Sequence, residues 1–241
     1  MLMILYILLT IIMLILVYGV LPTAIMRMFS LGIFRSADAQ GKVALTFDDG
    51  PHPVYTPRLL DLLKRYRIKA TFFVVGEYAE QYPHIIKRMA EEGHEVAIHH
   101  YRHVSNWLLT PFGTKRQCAK TAAVIRRITG REPVDYRPPW GHLNLAVFWA
   151  RRPFRLVIWS AILGDWKRTL GKERLLKRLH EGLQDGAIIV LHDNDRTPGA
   201  DEGAPLIMLE ALEAFLADVH DQYDFVTVDR LAAVDRRAGN M

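Results

Sequence analysis

The sequence predicts an α/β protein, a parallel sheet wrapped by helices, preceded by one N-terminal transmembrane helix. Three observations carry this. Residues 1–26 (MLMILYILLTIIMLILVYGVLPTAIM) contain no Asp, Glu, Lys, Arg or His. From residue 42 onward, short apolar runs alternate with amphipathic stretches. Ionisable residues also collect at the C-terminal end of one apolar run after another, where parallel α/β sheets carry their ligands.

The first run is long enough to cross a bilayer core, which takes about 20 apolar residues. A cleavable signal peptide would carry a basic segment ahead of a shorter apolar stretch. Nothing basic precedes this one, and Arg27 and Arg35 separate it from the small-residue triplet at 37–39. The expected organisation is an anchor over 1–26, a juxtamembrane linker over 27–41, a globular domain over 42–231 and a tail over 232–241. Arg27, Arg35 and Lys42 all follow the anchor, a bias that favours a cytoplasmic domain.

Candidate strands are VALTF (43–47), ATFFVVG (70–76), EVAIHH (95–100), VDYRP (134–138), RLVIWSA (155–161), AIIVLHD (187–193) and DFVTV (224–228). Between them, three- and four-residue apolar spacing predicts helices over 57–67, 83–93, 115–130, 172–183 and 204–220. Thr56 reads as the N-cap of the first and Pro57 as its first residue. Strands separated by helices imply parallel pairing. The spacing alone leaves a closed βα barrel and an open doubly wound sheet both standing.

Composition narrows the function. A single cysteine, Cys118, excludes a disulfide framework and a Cys-based zinc site, and its helical setting reads as structural. The formal charge of +5 is scattered over helix faces. It fits a domain near anionic lipid or wall polymer as well as plain solvated faces. There is no nucleic-acid signature, and no protein partner is expected.

The chemistry sits at the strand ends. VALTF runs into Asp48 and Asp49, EVAIHH ends in His99 and His100 with His103 beyond, and VDYRP carries Arg137. The loop after RLVIWSA reaches Asp165 and Trp166, and AIIVLHD ends in His192 and Asp193. On a helical turn, His99 and His103 would share one face, so that both imidazoles could reach one metal. Two imidazoles plus a carboxylate, with water in the fourth position, make a catalytic zinc site. One of the two aspartates would be the third ligand and the other a base, the cation offsetting their mutual repulsion.

These residues fall into five ordered motifs: TFDDGPHP (46–53), HHYRH (99–103), RPPWGHLN (137–144), GDW (164–166) and IVLHD (189–193). Together they resemble the polysaccharide deacetylases of carbohydrate esterase family 4, which share the NodB homology domain. The resemblance covers roughly residues 42–229. It implies a distorted (β/α)7 barrel and removal of N-acetyl groups from N-acetylglucosamine-containing polysaccharide, peptidoglycan or chitin-like, by attack of a metal-bound water. It further implies Asp48 as catalytic base, Asp49, His99 and His103 as metal ligands, and His192 as catalytic acid. Arg137 would orient Asp48 and Asp165 would tune His192. Trp140, through its backbone N–H, with Gly141, Trp166 and Leu191 would meet the substrate. The expected metal is zinc, with cobalt or nickel able to replace it.

Two departures stand out. His100 occupies a position where the family carries Ser or Thr; a third imidazole there reads first as hydrogen-bonded wall, with an adjustment of the site's charge or an alternative ligand as the other readings. Val104 replaces a proline, which sets Trp107 near the site mouth as a sugar-stacking platform or as packing. His52 is expected to rim the pocket, and His142 to line it or not with equal weight. A magnesium-dependent phosphoryl hydrolase competes poorly, since magnesium prefers oxygen ligands. The same motifs would also suit a deacetylase or deformylase of a lipid-linked sugar, or a catalytically silent carbohydrate-binding member of the fold. Wall polysaccharide as substrate argues for an extracytoplasmic domain, against the flanking charges.

Overall fold

In chain order the helices are α1 (Leu2–Ile15), α2 (Leu21–Phe29), α3 (Tyr55–Arg65), α4 (Gly76–Gln81), α5 (Pro83–Glu91), α6 (Pro111–Thr129), α7 (Val147–Ala150), α8 (Lys172–Gly182), α9 (Ala204–Val219) and α10 (Val228–Ala233). The strands are β1 (Lys42–Asp48), β2 (Thr71–Val74), β3 (Glu95–Ile98), β4 (Asp135–Tyr136), β5 (Arg155–Leu156), β6 (Ala161–Ile162), β7 (Ile188–His192) and β8 (Asp224–Phe225). This computed structural model describes residues 1–235, so most of the expected tail lies outside the described residues. The part inside is not all tail, because α10 runs through Ala233.

The sheet order is β5-β4-β3-β2-β1-β7-β6, with β8 pairing the start of β1, and every ladder is parallel. The sheet curls into the distorted (β/α)7 barrel with helices outside it. Strand alternation sorts the side chains. Val43, Leu45 and Phe47 of β1 face the helix-side core with Leu59, Ile86 and Phe215. Ala44 faces inward with Phe73, Ala97 and Ile188. The same period turns Asp48, His99 and His192 toward the interior at the strands' C-terminal ends.

The predicted strand 155–161 is two strands. β5 pairs with β4, whereas β6 pairs with β7 on the far side of the seam. One uninterrupted apolar run reads as one strand, but here it crosses from one sheet edge to the other. The segment before β1 fills that seam: the Phe34 N–H donates to Leu156 O (2.8 Å) and the Ile158 N–H to Phe34 O (2.9 Å). The Ala37 N–H then donates to Gly186 O (2.9 Å). Residues 34–37, expected as linker, are thus hydrogen-bonded to the barrel.

Helix α3 begins at Tyr55, earlier than Thr56 as N-cap would allow, with no side-chain cap from its own N-cap residue. His52 supplies the acceptor instead, its Nδ1 taking the N–H groups of Val54 (3.2 Å) and Tyr55 (3.3 Å). Pro57 is tolerated because first-turn N–H groups have no intrahelical partner. The short α4 is not among the helices that apolar spacing predicts; its first residue, Gly76, closes the predicted strand 70–76.

Helices α1 and α2 are joined by a π-helical turn, Leu16–Val20. Residues before Ile15 stand clear of the domain, while Gly19, Pro22, Thr23 and Met26 are buried. Thr23 Oγ1 accepts from the Leu143 N–H and from Trp107 Nε1, both at 3.0 Å. Tyr18 O accepts from the Leu145 N–H (3.0 Å), and the Tyr18 hydroxyl donates to Leu109 O (3.0 Å).

Candidate active site

Asp48 and Asp49 are neighbours that would point to opposite faces if the strand continued. It does not continue: Asp49 has φ 77°, a left-handed conformation that Asp tolerates better than most residues. That turn brings its carboxylate back to the same cleft as Asp48. Asp49 Oδ1 lies 3.2 Å from His99 Nε2 and 3.1 Å from His103 Nε2. One ligand atom from each of these three residues lies within 4.8 Å of the others.

The surroundings fit a cation. Asp49 Oδ1 is buried with no hydrogen-bond partner, while Oδ2 accepts the Thr197 hydroxyl (2.6 Å). His99 Nδ1 faces Arg137 O at 2.7 Å; a carbonyl can only accept, so Nδ1 carries the proton and Nε2 offers its lone pair. Burial would raise the Asp49 carboxyl, but the His103 and His99 imidazoles outweigh it and hold it well below the usual carboxylate range. Two nitrogens and one anionic oxygen suit zinc and its neighbours better than magnesium.

Beside this cluster, Asp48 Oδ1 accepts from Arg137 Nη1 (2.6 Å), which also donates to Thr46 Oγ1 (2.8 Å). Arg137 is fully buried, with its guanidinium 4.0 Å over the Phe73 ring. Across the cleft, Asp165 holds His192 of β7 at two points: Oδ2 accepts the backbone N–H (2.6 Å) and Oδ1 stands 3.1 Å from Nδ1. Burial would lower the His192 pKa, but Asp165, then Asp49 and Asp48, raise it to about 10.

The cleft above these groups encloses about 240 Å3. Of the sequence-selected residues, Asp48, Asp49, His99, His103, Trp140, Trp166 and His192 line it. Trp140, at φ 57°, sets its ring edge-on to that of His103, with centroids 4.2 Å apart. Trp166 lies edge-on to His192 at 5.3 Å. Arg137 and Asp165 sit behind the lining, touching Asp48 and His192.

Three selected residues are elsewhere. Leu191 is fully buried in the helix-side core, as strand alternation requires of the residue before inward-facing His192. Gly141 is buried against Trp159. Trp107 does not line the cleft either; it stacks on His142 at 3.7 Å and packs against the N-terminal helix. His142 is held there with it, its Nδ1 2.9 Å from Ser105 Oγ. His52 is buried as a helix cap stacked on Tyr55. His100 is wall: its ring meets Tyr136 Oη (2.7 Å) and Val104 O (3.0 Å), and burial pushes its pKa down to about 3.

Sequence reasoning misses Trp159, Ile162 and the loop Thr197–Ala200, all of which line the cleft. Trp159 is hidden in an apolar run, and a Thr-Pro-Gly-Ala stretch reads as an ordinary turn. Asp193 braces the floor: burial raises its pKa to about 7 and its partner is the Thr56 hydroxyl.

Comparison with known proteins bears on this geometry. The family described as polysaccharide deacetylase matches residues 35–155. The chain is 36% identical over 197 residues to the peptidoglycan-N-acetylglucosamine deacetylase PgdA of Listeria monocytogenes, covering 81% of this chain but only 40% of that relative. It is 34% identical over 194 residues to the chitooligosaccharide deacetylase of Sinorhizobium fredii, covering 78% of this chain and 90% of the other. Among solved structures, a family 4 acetyl xylan esterase from Clostridium thermocellum in complex with a cobalt ion superposes with a TM-score of 0.73 at 33% identity, over 80% of this chain and 91% of that one. On the family match and the extent of these likenesses, the chain belongs to the polysaccharide deacetylase family.

Proposed function

We propose that the protein is a metal-dependent N-deacetylase of N-acetylglucosamine-containing cell-wall polysaccharide, working outside the membrane that its N-terminal helix spans. The carrying observation is the convergence on one cleft of the Asp49–His99–His103 donor set with an Arg-braced carboxylate and an Asp-braced imidazole. The names of the Listeria and Sinorhizobium relatives support the acyl group and the sugar class.

Asp49, His99 and His103 would hold the metal, zinc by preference. Bound there, it supplies a Lewis acid for the acetyl carbonyl and brings the pKa of water to about 7. Asp48, oriented by Arg137, takes the proton from water as it attacks the acetyl carbon. The Trp140 backbone N–H would donate to the oxygen on which charge develops. His192 then gives its proton to the departing sugar amine, leaving acetate and a free amine.

The test is acetate release by the full chain in detergent, stripped of metal and resupplied with zinc, on N-acetylglucosamine oligomers and peptidoglycan. Zinc-dependent acetate that disappears in Asp48→Asn is expected. Silence on every polymer while zinc still binds would overturn the substrate class, and turnover unaffected by Asp48→Asn would overturn the mechanism.

A further inference from the structure

The N-terminal helix is gripped where it would leave a bilayer. About 20 residues at 1.5 Å each cover the hydrocarbon core, so a span starting at Leu2 emerges near Leu21. The domain's hold on the helix, through Tyr18, Gly19 and Thr23, is at that level. It comes from two loops, around 105–112 and 143–152, which the grip places against the lipid headgroups.

The outward side chains of those loops are apolar. Leu108 is 71% exposed, Phe112 74%, Leu145 63% and Trp149 51%. Phe112 and Trp149 pack edge to face at 5.6 Å. Cations stand beside them: the Lys115 ammonium lies 5.5 Å from the Trp149 ring and the Arg151 guanidinium 6.0 Å from Phe148. Neither 105–131 nor 136–164 contains a single Asp or Glu. Aromatic and aliphatic tips ringed by Lys and Arg, without acids, match the chemistry of a membrane interface.

We propose that these two loops are a second membrane contact, a seat that rests the domain on an anionic lipid bilayer. Leu108, Phe112, Leu145 and Trp149 enter the acyl boundary, and Lys115, Arg116, Arg151 and Arg152 meet lipid phosphates. Continuity with the span selects lipid as the occupant, because the bilayer that holds α1 must continue sideways into this patch. Span and seat together fix the cleft relative to the membrane: Arg27, in the last turn of α2, lies 4.9 Å over Trp159, which lines the cleft. The substrate reached is then glycan lying close to the bilayer surface. The inference rests on the N-terminal helix being a retained span that leaves the bilayer near Leu21, and is independent of the catalytic assignments.

The test uses the full chain in nanodiscs of phosphatidylglycerol and phosphatidylcholine. Nitroxide labels are placed singly at Phe112→Cys, Leu145→Cys and, as control, Lys87→Cys, an exposed site on α5; native Cys118 is buried. Labels at 112 and 145 should collide several-fold more with oxygen, relative to a water-soluble nickel complex, than the label at 87. In the unlabelled chain, brominated phosphatidylglycerol should quench tryptophan emission, and most of that quenching should vanish in Trp149→Phe. Labels at 112 and 145 as water-accessible as the one at 87 would overturn the seat. So would an intact mass showing that the membrane-extracted chain has lost its first residues. Neither readout involves acetate, so the seat and the proposed reaction fail separately.

Discussion

At the scale of residues, each group proposed to react or to hold the metal has a partner to which no chemistry is assigned. Thr197 is one such partner: its hydroxyl donates to one Asp49 oxygen at 2.6 Å and leaves the other facing the two imidazole Nε2 atoms, where the metal would sit. Thr197→Val keeps the shape and removes the donor. It should weaken zinc binding by about 10- to 100-fold, the usual effect of losing a ligand's own partner, measured by competition against a chelating dye. An unchanged affinity would mean that the backbone turn at Asp49 alone orients its carboxylate. Asp165 is another. Against the lowering by burial, Asp165, 3.1 Å from Nδ1, raises the His192 pKa above the ordinary histidine value, so the imidazole keeps its proton at neutral pH and loses it as pH rises through that raised value. A donor of this kind sets the alkaline limb of the kcat/KM profile. Asp165→Asn removes the strongest carboxylate acting on it, so the pKa falls and the alkaline limb moves to lower pH by at least about one unit. A limb that stays in place would remove His192 as the proton donor.

At the scale of elements, the legible part of the protein is what periodicity controls. Alternating runs find the strands, and the period of two places Asp48, His99 and His192 on the interior side of β1, β3 and β7 once their ends are known. Five polar strand ends are therefore readable as one site before any contact is visible. What does not read depends on local backbone or on distant contacts. No pattern announces that Asp49 takes φ 77°; without that turn it would face the helices. The run 155–161 is apolar throughout most of its length, so nothing in it marks the seam where β5 gives way to β6. Thr56 has the chemistry of an N-cap, yet its hydroxyl takes the His52 N–H at 2.7 Å and partners buried Asp193, leaving the cap to an imidazole. Thr197 lies in a loop whose composition says only turn. Trp107 is legible as a large aromatic near the second motif, but its partner, Gly19, lies 88 positions earlier in a segment that sequence reading treats as a separate anchor.

At the scale of the whole molecule, that last contact decides whether the domain hangs from its N-terminal helix or is locked to it. A helix serving only as a tether has no requirement for glycine at position 19, and Ala would strengthen it by about 1 kcal/mol. In the docked arrangement the requirement is steric. A Cβ on Gly19 would stand 2.5 Å from Trp107 Cδ1 and 2.7 Å from Cγ, and the indole has little room to retreat because His142 stacks on it at 3.7 Å. The two arrangements thus predict opposite signs for Gly19→Ala. If the helix is locked, overpacking of about 1–3 kcal/mol loosens the α2–domain contact and leaves the barrel folded. Trypsin should then cut at Arg27 and Arg35 on the order of ten-fold faster in nanodiscs, in line with the larger open population. If the anchor is a free tether, cleavage is unchanged or slower. A faster cut would also tie the docking of the helix to the cleft, since Arg27, in the last turn of α2, lies 4.9 Å over Trp159, which lines it.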